Sequence, residues 1–178
     1  MGYTFLVGGA RSGKSRLAVR LAMASGRMVT FLATAEAGDA EMRERIRRHF
    51  AERPPYWLTI EAPLDLANAV DRVPDDAFAI VDCLTLWVSN LLGADPAVDI
   101  SGMAAAVIDR LVKRPSGSVV VSNEVGSGIV PANELARSYR DVLGSVNSMF
   151  AASADQAALV VAGRPLMLST AAELVQPK

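Results

Sequence analysis

Short apolar runs alternate with longer segments of helical periodicity along this chain of 178 residues. The short runs are rich in β-branched and aromatic residues without regular in-and-out alternation, which is typical of strands buried on both faces. Strands are predicted at Tyr3–Val7, Met28–Ala33, Phe78–Val81, Val119–Ser122 and Leu159–Val161, with a short extra strand at Trp57–Ile60. Helices are predicted at Lys14–Ala24, Ala40–Ala51, Leu84–Leu92, Gly102–Val112 and Asn133–Ala152. This order predicts an α/β fold, with a mostly parallel sheet and helices on both faces.

Small or polar residues follow the predicted strands. They are Gly8-Gly9, Thr34, Asp82, Asn123-Glu124 and Gly163. Because ligands of open α/β sheets bind outside the carboxyl ends of the strands, these positions predict one common site.

Composition and charge narrow the class of protein. Apolar residues make up 51% of the chain and charged residues 21%, which is typical of a globular protein, and the length suits one domain over residues 1–178. The net charge of −1 gives no reason to expect a nucleic acid partner. The most apolar window, Ala77–Leu92, is too short for a membrane span. A single cysteine, Cys83, and no signal-peptide layout predict a cytoplasmic location.

A phosphate-binding loop follows the first predicted strand. Residues 8–15 read Gly-Gly-Ala-Arg-Ser-Gly-Lys-Ser and fit the pattern G-x-x-x-x-G-K-[ST] in full. Glycines let the backbone turn its N–H groups towards phosphate oxygens, and Lys14 places a positive charge on the β- and γ-phosphates. The Ser15 hydroxyl is a ligand for Mg²⁺, and the following helix adds its N-terminal dipole.

Asp82 ends a hydrophobic strand and is a candidate second ligand for that metal. A strand that ends in a solvated aspartate is the alternative. The chain has no Asn-Lys-x-Asp motif for reading guanine, which argues against an ordinary switch GTPase.

The only histidine, His49, lies in a predicted amphipathic helix. Met42, Ile46 and Phe50 recur every four residues and mark the apolar stripe, and at about 100° per residue His49 falls roughly 20° from Met42. Two interpretations stay open: a hydrogen-bonded core histidine, or a nucleophile or acid–base group that faces the phosphates.

Arginines cluster around this histidine, at Arg43, Arg45, Arg47, Arg48 and Arg53. They either form a solvated face with Glu41, Glu44 and Glu52, or Arg45 or Arg53 contacts a nucleotide or substrate phosphate.

Several sequence blocks together resemble one enzyme family, the bifunctional adenosylcobinamide kinase / adenosylcobinamide-phosphate guanylyltransferases. The blocks are residues 8–15, Ala33-Thr34-Ala35, Glu41-Met42, Arg45-Ile46-x-x-His49, Arg53-Pro54, 57–61, 82–92, 122–131, 135–141 and 144–147. They run in order over nearly the whole chain, from Thr4 to about Gly163.

The resemblance implies a P-loop, RecA-like fold, a homotrimer and two reactions. ATP or GTP phosphorylates the aminopropanol hydroxyl of adenosylcobinamide, and GTP then donates GMP to adenosylcobinamide phosphate through a guanylylated His49. It implies Lys14 and His49 as catalytic residues and Mg²⁺ on Ser15 and Asp82. The implied nucleotide contacts are Gly8, Gly9, Ala10, Arg11, Ser12, Gly13, Lys14, Ser15, Thr34, Ala35, Glu36, Phe50, Ala51, Glu52, Arg53, Glu61 and Asp82.

Three other functions remain compatible with the phosphate-binding loop: a generic small-molecule kinase, a nucleotide-binding module without turnover, and a nucleic-acid-binding ATPase. A generic kinase gives His49 no role, a binding module predicts affinity without an acceptor, and the balanced charge argues against nucleic acid. The 123–131 block is either a crossover loop or a loop that shapes the substrate site or a subunit interface.

Overall fold

The computed structural model describes residues 2–36, 38, 40–51, 53–170 and 172–173, with the backbone alone at 41, 42, 45 and 48–50. Its strands are β1 (Tyr3–Gly8), β2 (Val29–Ala33), β3 (Leu58–Glu61), β4 (Phe78–Asp82), β5 (Ser118–Asn123), β6 (Gln156–Val161) and β7 (Arg164–Met167). Its helices are α1 (Lys14–Ala24), α2 (Ala40–Ala51), α3 (Leu66–Asp71), α4 (Leu84–Ala94), α5 (Ile100–Lys113) and α6 (Glu134–Ser153).

The seven strands of the described residues join one sheet in the order β3-β2-β4-β5-β1-β6-β7. Every pairing is parallel except that of β6 with β7, which is a hairpin at the edge of the sheet. Because β1 lies next to β5 and two strands away from β4, the chain crosses the sheet repeatedly through its helices. The predicted mostly parallel sheet is confirmed.

Apolar residues cover both faces of the sheet, so each face has its own core. One core joins Phe5, Val81 and Val120 to helices α3–α6, and it contains the buried Trp87 and Phe150. The second core, on the face covered by α1, contains Leu6, Phe31, Ile80, Val119 and Val121 together with Ala18 and Ala22 of the helix. Helices on both faces are therefore confirmed.

Side-chain caps explain where three of the helices begin. Asp65, Asp99 and Asn133 each accept a hydrogen bond from the backbone N–H three residues later, at α3, α5 and α6. No cap of this kind is made at α1 or α4 by any side chain that the structure describes. Both uncapped helices begin at the carboxyl edge of the sheet.

The predicted boundaries agree closely for most elements, and two elements were not predicted. Helix α3 has only six residues, and β7 lies in the segment after Gly163, to which the pattern gave no element. Strand β6 begins three residues before the predicted start and is exposed at both ends, whereas β1, β2, β4 and β5 are buried as predicted. Among the described residues, no helix has the length and apolar character to cross a membrane.

Candidate active site

The register of the sheet brings the predicted strand ends to one edge. Gly8 pairs with Asn123, Asp82 pairs with both Ala33 and Val121, and Ala33 pairs in turn with Glu61. The phosphate-binding loop and the acid of β4 therefore open on the same edge, as the sequence predicts.

The loop of residues 8–15 has the tight backbone that its glycines allow. Gly13 has a φ of +95°, and a Cβ atom placed on it would lie 3.0 Å from the Cα of Gly163. The Ser12 N–H donates to the Gly9 carbonyl at 3.2 Å, and Arg11 also has a positive φ, of +57°. Because no side chain that the structure describes caps α1, the first N–H groups of that helix are left to donate to a phosphate bound in the loop.

Lys14 is held over this loop. It is only 7% exposed, and its Nζ donates to the Gly9 carbonyl oxygen at 3.0 Å. The ammonium group is thus placed within the loop that would surround the phosphates, where its charge would act on them directly.

A polar clamp joins the ends of β2 and β4. The Thr34 hydroxyl accepts from the Cys83 N–H and donates to the Cys83 carbonyl, both at 2.8 Å. Asn90 of α4 donates to the carbonyls of Thr34 at 2.8 Å and Pro63 at 3.1 Å. Three loops at the carboxyl edge are therefore fixed to one another next to Asp82.

Cys83 lies in this clamp as a neutral thiol. Burial, together with the nearby Asp82 carboxylate, raises its pKa to about 11. Because the thiolate is the nucleophilic form of cysteine, this raised pKa lowers the reactivity of the Cys83 thiol at neutral pH.

A second polar network fixes the end of β5. The Ser122 hydroxyl donates to Asn147 Oδ1 at 2.6 Å, and Asn147 Nδ2 donates to the Asn123 carbonyl at 2.9 Å. The Asn123 N–H donates to the Thr85 hydroxyl at 2.8 Å. The Tyr139 hydroxyl donates to the Thr85 carbonyl at 3.1 Å, and burial raises the pKa of this phenol to about 12.

The remaining predicted nucleotide contacts occupy varied positions. Thr34 is buried, Ala35 is half-buried, and Glu36, Ala51 and Glu61 are exposed. The guanidinium of Arg53 lies 3.2 Å from the centre of the Phe31 ring, on the sheet face that α1 covers.

Helix α2 has the predicted boundaries, and Arg47 on it pairs with Glu44 at 2.8 Å, as a solvated face predicts. Ile46 is half-buried. The side chains of His49, Phe50 and Arg45, and all of Glu52, fall outside the described part of the chain.

Sequence reasoning missed the residues that hold the site together. Asn90 and Asn147 are the clearest examples, because each places an amide in the middle of an otherwise apolar helix face. A buried amide must find hydrogen-bond partners, so such positions could have been selected from the sequence on that ground.

The donor set fits a magnesium ion held mainly by nucleotide phosphates. Asp82 is half-buried and Ser15 lies in the first turn of α1, next to Lys14. Within the described residues, no group of three or more acidic, histidine or cysteine side chains forms a metal site. Mg²⁺ commonly keeps one or two protein ligands and takes the rest from phosphates and water, which agrees with this pair.

Solved structures confirm the fold. A RadB recombinase matches 89% of this chain and 73% of its own, with a TM-score of 0.50 and 15% identity. The ATP synthase subunit NeqB from Nanoarcheaum equitans matches 89% of this chain and 45% of its own, with a TM-score of 0.51 and 9% identity. The α/β, RecA-like P-loop architecture predicted from the sequence is therefore confirmed.

Closer relatives are found among characterised proteins. The bifunctional adenosylcobalamin biosynthesis protein CobP of Pseudomonas aeruginosa is 44% identical over 164 residues, which cover 92% of this chain and 95% of that protein. The bifunctional adenosylcobalamin biosynthesis proteins CobU of Salmonella typhimurium and Escherichia coli are 42% and 38% identical, over 89% of this chain. The family model of cobinamide kinase / cobinamide phosphate guanyltransferase, CobU, matches residues 4–168. The chain therefore belongs to the cobinamide kinase / cobinamide phosphate guanyltransferase family.

Proposed function

We propose that this protein phosphorylates adenosylcobinamide with ATP or GTP and then transfers GMP from GTP to adenosylcobinamide phosphate, giving adenosylcobinamide-GDP and pyrophosphate. The observation that carries the proposal is the complete phosphate-binding loop, with Lys14 folded over it, at the same sheet edge as Asp82. Membership of the family supports the choice of substrates.

In the first reaction, the loop would bind the β- and γ-phosphates. The N–H groups of residues 8–15 and the Lys14 ammonium would neutralise charge that develops as the hydroxyl attacks the γ-phosphorus. Because phosphoryl transfer asks little covalent chemistry of a protein, the work of this site is positioning and charge stabilisation.

In the second reaction, His49 is the proposed nucleophile. Its neutral imidazole would attack the α-phosphorus of GTP, pyrophosphate would leave, and the phosphate of adenosylcobinamide phosphate would then displace the imidazole. Lys14 would stabilise the leaving pyrophosphate. Since the neutral ring is required, guanylylation should slow as the pH falls.

Further nucleotide contacts are proposed at Thr34, Ala35, Glu36 and Glu61, supported by their position at the carboxyl edge, and at 50–53, supported by the family resemblance. The contact between Arg53 and Phe31 places that guanidinium close to the same sheet face as the loop. Ser15 and Asp82 would hold Mg²⁺, which when bound shields phosphate charge from the attacking oxygen.

Mass spectrometry of the corrinoid product tests both reactions. Adenosylcobinamide with ATP should gain one phosphate, and later addition of GTP should convert it to the GDP derivative. Lys14→Met should abolish both conversions, and Arg16→Met, at the exposed second residue beyond it, is the matched control. A phosphate gain without the second product would leave a small-molecule kinase, and no product from a nucleotide-bound protein would leave a binding module.

The whole chain, residues 1–178, is proposed to form one cytoplasmic domain that assembles as a homotrimer. The single sheet shared by all seven strands supports one domain. Ile129, Val130 and Leu135 are 98%, 60% and 70% exposed, and such apolar exposure supports a subunit contact there. Light scattering should give three times the 18.8 kDa of one chain, and a single-chain mass would contradict the trimer.

A further inference from the structure

The last residue of β5 lies between the two best-supported parts of the site. Strand β5 is placed between β1, which leads into the phosphate-binding loop, and β4, which ends in Asp82. Asn123 pairs with Gly8, the first residue of the loop, while Asp82 pairs with Val121, two residues earlier on β5. Asn123 therefore lies beside the loop, two residues further along β5 than the partner of Asp82.

The pleat of the sheet places these side chains on the same face. Val119 and Val121 pack in the α1-facing core, whereas Val120 packs in the opposite one, so Asn123 continues the α1-facing row. On β4, Ile80 belongs to the α1-facing core and Asp82 follows in the same row. The face of Asn123 and Asp82 is thus the one on which the phosphate-binding loop meets α1.

The backbone of Asn123 is held from both sides, while its side chain is not. Thr85 of α4 accepts from its N–H, and Asn147 of α6 donates to its carbonyl. Asn123 as a whole is half-buried, and its carboxamide reaches solvent and makes no hydrogen bond to any residue that the structure describes. Because no protein group competes for it, the Nδ2 donor is available to a ligand that binds at this edge of the sheet.

We propose that Asn123 is a catalytic residue of the kinase reaction, in which its Nδ2 group donates a hydrogen bond to an oxygen of the transferring γ-phosphoryl group. This inference rests on the proposed function. As the substrate hydroxyl attacks, the new bond from oxygen to γ-phosphorus forms and the bond from γ-phosphorus to the β–γ bridging oxygen breaks. The nucleoside diphosphate leaves and the hydroxyl proton is lost to solvent, so Asn123 stabilises charge and transfers no proton.

The two reactions of the site should depend on Asn123 differently. In the kinase reaction the γ-phosphoryl group is the reacting centre, so a donor to its oxygens acts on the transition state. In guanylylation the bond breaks at the α-phosphorus, and the same donor would contact a remote part of GTP. A contact that is equally strong in ground and transition states changes KM and not kcat.

Two substitutions and one control test the proposal. Asn123→Ala removes the donor, and Asn123→Asp replaces it with a negative charge that repels the phosphoryl group. Asn68→Ala is the matched control, because Asn68 is exposed on α3. For each variant one would measure the kinase kcat with ATP, the guanylylation kcat with GTP, the affinity for ADP, and the thermal midpoint.

The expected result is a loss of roughly 100-fold in kinase kcat for Asn123→Ala, the size seen when one donor to a developing charge is removed. The loss should be at least as large for Asn123→Asp. Guanylylation kcat, ADP affinity and the thermal midpoint should stay close to those of the unaltered protein. Equal kinase rates in Asn123→Ala and the control would overturn the inference, as would a parallel fall in both reactions and in the thermal midpoint. If the unaltered protein phosphorylates no cobinamide, the proposed function itself fails.

Discussion

At the scale of single residues, this site depends on polar side chains that bond to backbone groups. Thr34 illustrates the point, because its one hydroxyl satisfies both the N–H and the carbonyl of Cys83. The pairing of β2 with β4 ends at Ala33 and Asp82. Beyond that pair, the Thr34 side chain supplies hydrogen-bond partners for backbone groups that the sheet no longer pairs. Asp82 is thereby held at a fixed place relative to the phosphate-binding loop.

Replacing Thr34 by valine should show what this clamp contributes. Valine keeps the shape of threonine but leaves both backbone groups of Cys83 without their partner, and we expect a loss of about 2 kcal/mol in unfolding free energy. Thr59→Val, at a half-buried site on β3, is the matched control. Urea denaturation measures both. If the two variants lose the same small free energy of unfolding, the hydrogen bonds of Thr34 do not stabilise the ends of β2 and β4.

Some residues of the site could be predicted from the sequence, and others could not. The phosphate-binding loop and Asp82 were predicted because their chemistry is local: a glycine pattern, or an acid directly after a strand. The partnership of Asn147 with Asn123 joins residues far apart in the chain and depends on how α6 packs against β5. Spacing along the sequence carries no information about such a contact.

At the scale of elements, the β6–β7 hairpin at the edge of the sheet stabilises the phosphate-binding loop through the contact of its turn with that loop. Its two-residue turn, Ala162-Gly163, has positive φ at both positions, and the Gly163 N–H donates to the Ser12 carbonyl at 2.7 Å. A turn with two positive φ values matches the twist of paired strands. The hairpin was missed because β7 is short and exposed and contains Pro165, which fits only an edge strand.

Ala162→Asn should stabilise this hairpin. Alanine at a φ of +50° is strained, whereas asparagine adopts left-handed backbone more readily and Asn-Gly is the favoured pair for such a turn. We expect a gain of about 1 kcal/mol, seen as a higher thermal midpoint. Ala97→Asn, at an exposed position outside the left-handed region, should give no gain. A lower midpoint for Ala162→Asn would contradict this account of the turn.

Helix α3 was missed for a different reason. Its six residues are too few for a helical period to be recognised, and it forms because Asp65 caps it and Leu66, Ala69 and Val70 bury one side. Tertiary packing stabilises it more than its own sequence does. The other helices are longer, so their periodicity was sufficient for prediction.

At the scale of the whole molecule, buried groups that must stay protonated link stability to pH. Burial raises the pKa of Cys83 to about 11 and that of Tyr139 to about 12, and it raises that of Tyr3 as well. Each is neutral when protonated, and the unfolded chain releases its protons at lower pH than the folded one. Their contribution is therefore complete below the ordinary values of 9.0 for the thiol and 10.0 for the phenols, and it declines above them.

Unfolding free energy should consequently fall as the pH rises from about 9 towards 11. Cys83→Ala removes one of the three groups and should make the decline shallower over that interval. Urea denaturation at several pH values measures both slopes. Identical slopes for the variant and the unaltered protein would show that the Cys83 thiol does not contribute to this dependence of stability on pH.

The proposed transfer of GMP requires that His49 carries the guanylyl group between the two substrates. The most direct measurement incubates the protein and a His49→Ala variant with Mg²⁺ and GTP labelled at the α-phosphate, followed by denaturation and detection of retained label. We expect the unaltered protein to retain a label that is lost in acid and stable in alkali, and the variant to retain none. A folded protein that binds GTP but retains no label, or a variant that retains as much as the unaltered protein, would contradict the transfer through His49.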